Sequence, residues 1–238
     1  MYYDLHIHSA LSPCGDNTMT INNILNMAYI KGLDLIAICD HNSLKQQFYL
    51  DKVIHNDVLK GRIDFIHGVE LQSQENIHVL AYFLKNTNLL EIQSWIEDHL
   101  PNNKNDIEFY GNQYIFNESD EIIEEYEPLL IQSLDLPIHE VIEGVHDFGG
   151  FVVLAHVLSK RFGAYQVLGS EMENLNYDGI EVTSLKEIKD LKRLCPNIRD
   201  EFIFISSDAH YLEDISEPQY ELDKEKFFKA MEERQWKK

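Results

Sequence analysis

Cysteine is scarce in this chain, and long hydrophobic runs are missing. The three cysteines, Cys14, Cys39 and Cys195, are an odd number without a CxxC pair, so they support neither a disulfide framework nor a zinc site of paired thiolates. No apolar run approaches the roughly 20 residues of a membrane span, and the N-terminus lacks the features of a signal peptide. We therefore expect a cytoplasmic protein with no membrane partner.

Positive charge is also in short supply. Against 41 acidic side chains the sequence has 20 lysines and arginines, a net charge of −21. This charge repels a phosphate backbone and argues against duplex nucleic acid as a partner. Much of it is local, because residues 85–150 hold 15 acidic and two basic side chains. Divalent ions bound elsewhere in the chain would make the mouth of their site attractive to an anion.

Short apolar segments alternate with helical patterns along the 238 residues. They predict seven strands, at 2–7, 34–39, 63–70, 77–83, 150–155, 179–183 and 202–207. Helices are predicted at 20–31, 43–60, 88–99, 138–148, 185–194 and 223–236. This alternation predicts an α/β fold with a mainly parallel sheet or barrel. The apolar fraction of 44% suffices for a single domain over residues 1–238.

The third and fourth predicted strands break the alternation. Only residues 71–76 separate them, too few for a parallel crossover through a helix. An antiparallel hairpin would place Glu70, at the end of one strand, near His78, at the start of the next. His67 is out of phase with Glu70 and is expected to face outward. The other ligand candidates follow strands, so we expect them all at one end of the sheet, where parallel-barrel enzymes have their active sites.

The strand pattern lapses after the fourth strand. A polar stretch at 101–105 precedes an acidic run at 118–127, and such stretches break regular structure. We interpret residues 85–149 as an insertion or cap, either a solvated helical hairpin that fills a barrel position or a lid that shapes substrate access. The aromatic residues between Phe109 and Phe116 either stack on a base or pack this cap, and packing is favoured because aromatics bury large areas in ordinary cores.

Histidines and carboxylates recur at the ends of the predicted strands. Alternate side chains of a strand share a face, so His6 and His8 point the same way, roughly 6 to 7 Å apart, and can grip one ion. Asp208 and His210 repeat this spacing. Imidazole and carboxylate ligands together suit zinc, manganese or iron. Nine potential ligands predict a multinuclear metal site: His6, His8, Asp16, His41, Glu70, His78, His156, Asp208 and His210.

The ordered motifs resemble the polymerase and histidinol phosphatase (PHP) superfamily of metal-dependent phosphoesterases. They are Asp4-Leu-His-Ile-His-Ser9, Ile38-Cys-Asp-His-Asn42, Gly68-Val-Glu70, Leu154-Ala-His156 and Ser207-Asp-Ala-His210, with His78 between the third and fourth. The resemblance implies a distorted seven-stranded, TIM-like (β/α)7 barrel of the PHP type, whose C-terminal rim binds two to three divalent transition metal ions.

The resemblance also implies how the ligands divide. One metal would be held by His6, His8, Glu70 and Asp208. Glu70 would bridge to a second metal held by His78 and His156, and the third would be held by Asp16, His41 and His210. Near Asp16 the chain departs from the family, because Pro13-Cys14-Gly15 stands where a shorter turn is common. Cys14 could therefore lie close to the metals.

The mechanism that follows is attack of metal-activated water on phosphorus, with the ions neutralising the developing charge. Glu70 and Asp208 are thereby predicted to be catalytic. Asp40 is predicted to orient a ligating imidazole, with general-acid catalysis as its alternative. Lys160 and Arg161 are predicted to clamp a substrate phosphate, Arg161 being the better bidentate donor. The alternative for these two cations is an ordinary surface role.

Four functional hypotheses follow. The leading one is a metal-dependent phosphoesterase that hydrolyses a small phosphorylated metabolite or nucleotide. The second is an exonuclease acting on short single-stranded nucleic acid. An amidohydrolase also begins with HxH, but it usually needs a bridging lysine at a strand end, where this sequence has none. The last is a non-catalytic, metal-stabilised domain that binds a protein partner, and open metal coordination positions argue against it.

Overall fold

A seven-stranded sheet forms the centre of the fold. The computed structural model describes residues 1–54 and 61–236. Its strands are β1 (Tyr3–Ile7), β2 (Leu35–Ile38), β3 (Asp64–Gln72), β4 (His78–Phe83), β5 (Tyr114–Phe116), β6 (Ile122–Glu125), β7 (Phe151–Leu154), β8 (Gly179–Glu181) and β9 (Ile203–Phe204). The sheet runs in the order β1-β2-β3-β4-β7-β8-β9, while β5 and β6 form a separate hairpin. The prediction of a seven-stranded α/β barrel is confirmed, and the small hairpin was not predicted.

Helices connect and cover these strands. They are α1 (Ile21–Lys31), α2 (Gln47–Ile54), α3 (Leu89–His99), α4 (Ile107–Tyr110), α5 (Ile138–Asp147), α6 (Ala164–Leu168), α7 (Leu185–Leu194) and α8 (Lys224–Gln235), with 3-10 helices at Gly169–Asn174 and Leu212–Asp214. Helix α2 begins later than predicted, because residues 43 and 44 are irregular and residues 45 and 46 form a turn. Residues 55–60 of the predicted helix lie outside the described residues. No helix in the described ranges is long and apolar enough to cross a membrane.

The cap and end of α1 show why this segment is helical. The Thr20 side chain accepts a hydrogen bond from the Asn23 amide, and Gly32 ends the helix in the left-handed conformation with φ 82°. Both features satisfy backbone groups that a helix end leaves unpaired. The buried face of α1 packs on the outer side of β1 and β2.

The predicted hairpin of β3 and β4 is confirmed. The two strands are antiparallel, with Glu70 opposite Leu80 and Gln72 opposite His78. Strand β4 is also antiparallel to β7, and the remaining pairs of the sheet are parallel. The start of β4 therefore lies at the same rim as the C-terminal ends of the parallel strands.

An irregularity in β1 decides which way its histidines face. Leu5 packs with the residues inside the barrel, whereas Ile7 packs with the outer helices. Residues two apart in a regular strand share a face, so the strand must change phase between them. The pairing with β2 shifts register between Asp4 and Ile7. A bulge of this kind re-aims the side chains that follow it, and it allows both His6 and His8 to face the interior.

Side-chain hydrogen bonds close the barrel between β1 and β9. Strand β9 ends earlier than predicted, and residues 205–207 join β1 without a backbone ladder. The Ile205 amide donates to the Tyr3 hydroxyl at 3.1 Å, and the Ser207 amide donates to Asp4 at 3.1 Å. A single bridge pairs Ile7 with Ala209. These contacts bring the segment that carries Asp208 beside β1.

Residues 100–136, here called the rim excursion, leave the barrel between α3 and α5. Both helices pack on the outer face of the sheet, although they belong to the predicted insertion at 85–149. The excursion contains α4 and the β5–β6 hairpin. Asn42 donates to the carbonyls of Leu130 and Gln132 at 2.8 and 2.7 Å, and the Leu134 amide donates to the Gln72 carbonyl at 2.8 Å. The excursion thus rests against one side of the C-terminal rim.

Candidate metal centre

Glu70 lies at the centre of a cluster of imidazoles. Its side chain is buried, with 1% exposed. One carboxylate oxygen is 2.8 Å from His78 Nδ1 and 3.2 Å from His156 Nε2. The other is 3.0 Å from His41 Nδ1 and 3.5 Å from His8 Nε2. With His6 Nε2 3.4 Å from the first oxygen, this one carboxylate reaches five imidazoles, which suits a bridging ligand.

His6, His8 and Asp208 form a second part of the cluster. The Nε2 atoms of the two histidines are 3.2 Å apart. Asp208 Oδ1 is 3.3 Å from His6 Nε2 and 3.1 Å from His8 Nε2. Asp208 has a positive φ of 52°. This conformation is uncommon for a non-glycine residue, and such residues are often found at functional sites. This backbone turn accompanies the approach of its carboxylate to the two imidazoles.

A further layer of polar groups holds these imidazoles. Glu181 at the end of β8 is 3.0 Å from His6 Nδ1, and the Ser12 hydroxyl is 3.0 Å from His8 Nδ1. Ser12 also donates to the buried Asp40 at 2.7 Å. Each ring thus has its Nδ1 atom bound by protein and its Nε2 atom directed into the cluster, the arrangement typical of metal-binding histidines.

The donor set fits divalent metal ions. Three groups have ligand atoms within 4.8 Å of one another: His8, His41 and His210; His6, His8 and Glu70; and His41, Glu70 and His78. Two buried ring nitrogens, His78 Nε2 and His156 Nδ1, have no partner among the described residues. Neutral imidazole and carboxylate are the ligands that zinc and related ions prefer.

The charges of the cluster compensate each other. Burial raises the pKa of Glu70, but the nearby His78 and His6 hold it well below its usual value. Burial lowers the pKa of His41, but its interactions with Cys14 and Glu70 raise it to about 10. The pKa of His8 falls to about 3, because burial and His41 oppose its protonation. Protons thus occupy positions that a cation can take, so metal and proton would compete.

Eight of the nine predicted ligands meet in this cluster, and Asp16 does not join them. The Asp16 carboxylate accepts hydrogen bonds from the amide and hydroxyl of Thr18, at 2.9 and 2.5 Å. Its backbone is nevertheless close, because the Asp16 amide donates to the His210 carbonyl at 2.9 Å. Burial raises the pKa of the Cys14 thiol, two residues earlier, but interactions with His210 and His41 lower it to about 7.

The cluster opens to solvent on one side. The side chains of Asp208 and His210 are 42% and 26% exposed, whereas the other ligands are buried. Lys160 and Arg161 are exposed in the loop after His156, and their contact with a phosphate stays a prediction. A substrate would reach the cluster from this open side.

Phe162 anchors the loop that carries those two cations. Its ring stacks on His78 with centroids 4.2 Å apart, and its carbonyl accepts from the His78 amide at 2.9 Å. Phe162 also has a positive φ of 63°. This stacking connects the loop of Lys160 and Arg161 directly to one imidazole of the cluster.

Sequence reasoning missed Glu181, Ser12 and Phe162. Glu181 lies inside the strand predicted at 179–183, and a carboxylate in a short apolar strand was a signal that could have identified it. Ser12 and Phe162 lie in loops, where only the three-dimensional path brings them to His8 and His78. The histidines left out of the prediction also lie apart. His146 bonds Asp178 at 2.9 Å, His67 faces Gln47, and His55 lies outside the described residues.

Comparisons with known proteins agree with this architecture. The sequence matches the family model of the PHP domain over residues 4–193, and a search of curated proteins found no match. A predicted metal-dependent phosphoesterase from Bifidobacterium adolescentis is 18% identical, with a TM-score of 0.64, over 96% of this chain and 95% of that one. An amidohydrolase from Chromobacterium violaceum, solved with bound sulfate and no metal, is 15% identical, with a TM-score of 0.60, over 98% and 97% of the two chains.

A third similar structure is the lesion-specific endonuclease PfuEndoQ from Pyrococcus furiosus. It is 20% identical, with a TM-score of 0.62, over 89% of this chain and 48% of that one. The chain therefore spans about half the length of this endonuclease. At these identities the likeness to all three structures concerns the fold.

Proposed function

The chain belongs to the PHP domain family, and from this premise we propose that it is a metal-dependent phosphoesterase acting on a small phosphorylated metabolite or nucleotide. The observation that carries the proposal is the meeting of six imidazoles with Glu70 and Asp208 at the C-terminal rim. A purely structural metal site is closed, whereas this cluster has an open side at Asp208.

Two to three ions of zinc, manganese or iron are the proposed cofactors. His6, His8 and Asp208 would hold one ion and His78 and His156 another, with Glu70 shared between them. His41 and His210 would hold a third, together with the predicted ligand Asp16 or another nearby donor. Elemental analysis of gently purified protein tests this stoichiometry, and protein that stays metal-free after reconstitution would contradict it.

The chain's own residues would position the substrate and the ligands. When bound, divalent ions supply Lewis acidity that activates water and neutralises charge on a phosphoryl group. Lys160 and Arg161 would bind phosphate oxygens from the exposed loop. Asp40 accepts hydrogen bonds from Ser9 and Ser12 and is fully buried. This environment supports the orienting role of Asp40 more than general-acid catalysis.

Phosphate release from a panel of nucleotides, sugar phosphates and histidinol phosphate tests the proposal. The metal-loaded protein should hydrolyse at least one class, and His8→Ala should abolish the activity. His139→Ala is the matched control, because His139 is 64% exposed on α5, outside the cluster, and should leave the rate unchanged. Loss of hydrolysis for every ester tested, in fully metallated protein, would refute the proposal.

Cleavage of short single-stranded nucleic acid is the second candidate. The observation that favours it is the exposure of Phe109, whose side chain on α4 is 76% exposed. The sequence had favoured packing of the aromatic residues between Phe109 and Phe116, and Phe109 does not follow that expectation. Gly111, two residues after Phe109, lies so close to Pro13 that an added Cβ would be 2.3 Å from the Pro13 carbonyl oxygen. An exposed aromatic ring here can stack on a base. Release of mononucleotides from a labelled oligonucleotide, reduced by Phe109→Ala, would support this candidate.

A further inference from the structure

Asn42 joins three separate segments at the rim, and its side chain is 1% exposed. Its amide donates to the Glu70 carbonyl at 2.9 Å, and its side-chain oxygen accepts from the Gln72 amide at 3.0 Å. The side-chain nitrogen donates to the carbonyls of Leu130 and Gln132 at 2.8 and 2.7 Å. The side chain thus uses both of its N–H donors and its oxygen. It connects the ends of β2 and β3 to the rim excursion.

The backbone of Asn42 turns sharply after a predicted metal ligand. Asn42 has a left-handed φ of 43°, which asparagine tolerates better than most residues. The preceding His41 pairs with Glu70 in a parallel bridge, and His41 Nδ1 is 3.0 Å from a Glu70 oxygen. The turn at Asn42 ends this pairing. The contacts that fix Asn42 therefore also fix where His41 lies against Glu70.

The same part of the excursion contacts the strand beside His78. Gln72 lies opposite His78 in the β3–β4 pair, and the Gln72 side chain donates to the Ser133 hydroxyl at 3.1 Å. Residues 130–134 are thereby attached beside all three members of one group with ligand atoms within 4.8 Å of one another: His41, Glu70 and His78.

This segment is also held inside the excursion. Leu130 is fully buried, and its amide donates to the buried Gln113 side chain at 2.9 Å. The Gln132 side chain donates to the Pro101 carbonyl at 2.9 Å. Buried apolar contacts and internal hydrogen bonds are the features of a region that opens rarely. The two carbonyls that Asn42 contacts therefore have fixed positions.

We propose that Asn42 is a positioning residue that sets His41 against Glu70, and that the rim excursion is a fixed wall of the metal centre and not a lid. Hydrogen bonds that orient a ligand raise metal affinity although they do not touch the ion. Asn42 acts in this way through the backbone that it shares with His41. This inference rests on the proposed function in that it concerns the same centre, but its tests require no substrate.

The zinc affinity of two Asn42 variants tests the proposal. Asn42→Gly deletes the side chain, and glycine keeps the left-handed backbone without a steric penalty. Asn42→Asp keeps the shape and the oxygen that accepts from Gln72, but it directs a carboxylate oxygen at two carbonyls. Competition with a chromophoric chelator should show that each variant binds at least one zinc ion about 10- to 100-fold more weakly than the wild type.

Asn22→Ala is the matched control, because Asn22 also attaches the excursion to the barrel. It lies on α1 and donates to the Glu118 carbonyl at 3.1 Å and to the Asp120 side chain at 3.0 Å. Neither contact involves a neighbour of a predicted ligand, so this variant should bind zinc as tightly as the wild type. Far-ultraviolet circular dichroism at the assay temperature checks that each variant is folded. Unchanged zinc affinity in both Asn42 variants would overturn the proposal, as would an equal loss in Asn22→Ala.

Hydrogen exchange of the metal-free protein gives a second readout. The Gln72 amide donates to Asn42, and the Leu134 amide donates to the Gln72 carbonyl. Both amides should exchange slowly in the wild type and about tenfold faster in Asn42→Gly, because hydrogen bonds that hold the segment are lost. Asn22→Ala should leave both rates unchanged. Fast exchange of both amides in the wild type would indicate a lid that opens and would overturn the proposal.

Phosphate release from the same samples separates the two proposals. Weaker zinc binding in the Asn42 variants, with no hydrolysis of any ester by fully metallated wild type, supports the role of Asn42 and contradicts the phosphoesterase. Hydrolysis by the wild type, with zinc affinity unchanged in both Asn42 variants, contradicts the role of Asn42 and leaves the phosphoesterase supported.

Discussion

The Glu181→Gln substitution should weaken metal binding at His6 while leaving the fold intact. Glu181 is 2% exposed. Its Oε2 atom is 3.0 Å from His6 Nδ1 and also accepts from the His156 amide at 3.0 Å. An amide oxygen at the Oε2 position can accept both hydrogen bonds. The substitution therefore removes the charge behind His6 and little of the packing.

The size of the effect follows from this geometry. Loss of a carboxylate that supports a ligating histidine typically costs about 10- to 100-fold in metal affinity or activity. This corresponds to about 1.4–2.7 kcal/mol, at about 1.4 kcal/mol for each factor of ten. The metal-free protein should remain folded, because an amide oxygen at the Oε2 position keeps the hydrogen bonds to His6 and to the His156 amide.

Competition with a chromophoric chelator measures the zinc affinity of the wild type and the variant. Glu201→Gln is the matched control, because Glu201 is 68% exposed and pairs with Lys226 at 3.5 Å, so its affinity should equal that of the wild type. An unchanged affinity in Glu181→Gln, or an equal loss in the control, would refute the role assigned to Glu181.

Three further predictions concern pH, backbone geometry and substrate binding. Because the pKa of His41 is raised to about 10, this residue is protonated at neutral pH and must lose its proton to bind metal. Zinc affinity should therefore rise by up to about tenfold per pH unit. A zinc affinity that stays constant between pH values of about 6.5 and 9 would contradict this. Gly111→Ala should cost about 1–3 kcal/mol, because Gly111 has φ +102° and its added Cβ would meet the Pro13 carbonyl oxygen at 2.3 Å. Gly32→Ala, at φ +82° with open space around it, should lower the stability by less, and thermal unfolding of both variants measures the difference. Equal losses of stability would exclude a contribution from the contact between residue 111 and the Pro13 carbonyl oxygen. Arg161→Ala should raise KM for a phosphomonoester by roughly tenfold at unchanged metal content, and an unchanged KM would leave Arg161 an ordinary surface cation.

Several features of this protein followed from local sequence patterns. The short link between β3 and β4 excluded a helical crossover, and the antiparallel hairpin is present. The helix predicted at 20–31 is present as α1, which Thr20 caps and Gly32 ends. Strand-end histidines and carboxylates indicated one rim, because parallel strands present their C-terminal ends together. These inferences succeeded because each depends on residues close in sequence or on a general rule of sheet topology.

Other features depended on contacts that local patterns do not encode. The bulge in β1 depends on pairing with β2, and the closure at β9 uses side-chain hydrogen bonds to Tyr3 and Asp4. The rim excursion folds against loops far away in sequence, and its β5–β6 hairpin has exposed residues on one strand that gave no alternating pattern to detect.

By itself the sequence determined the alternating α/β architecture, the hairpin and the set of side chains able to bind metal, because strand and helix periods and turn residues act over short distances. Only the tertiary structure decided that Glu181 supports His6, and that Thr18 binds the Asp16 carboxylate. Such choices arise from hydrogen bonds, close backbone contacts and the convergence of separate loops. These contacts join residues far apart in sequence, so they form only when the chain has folded.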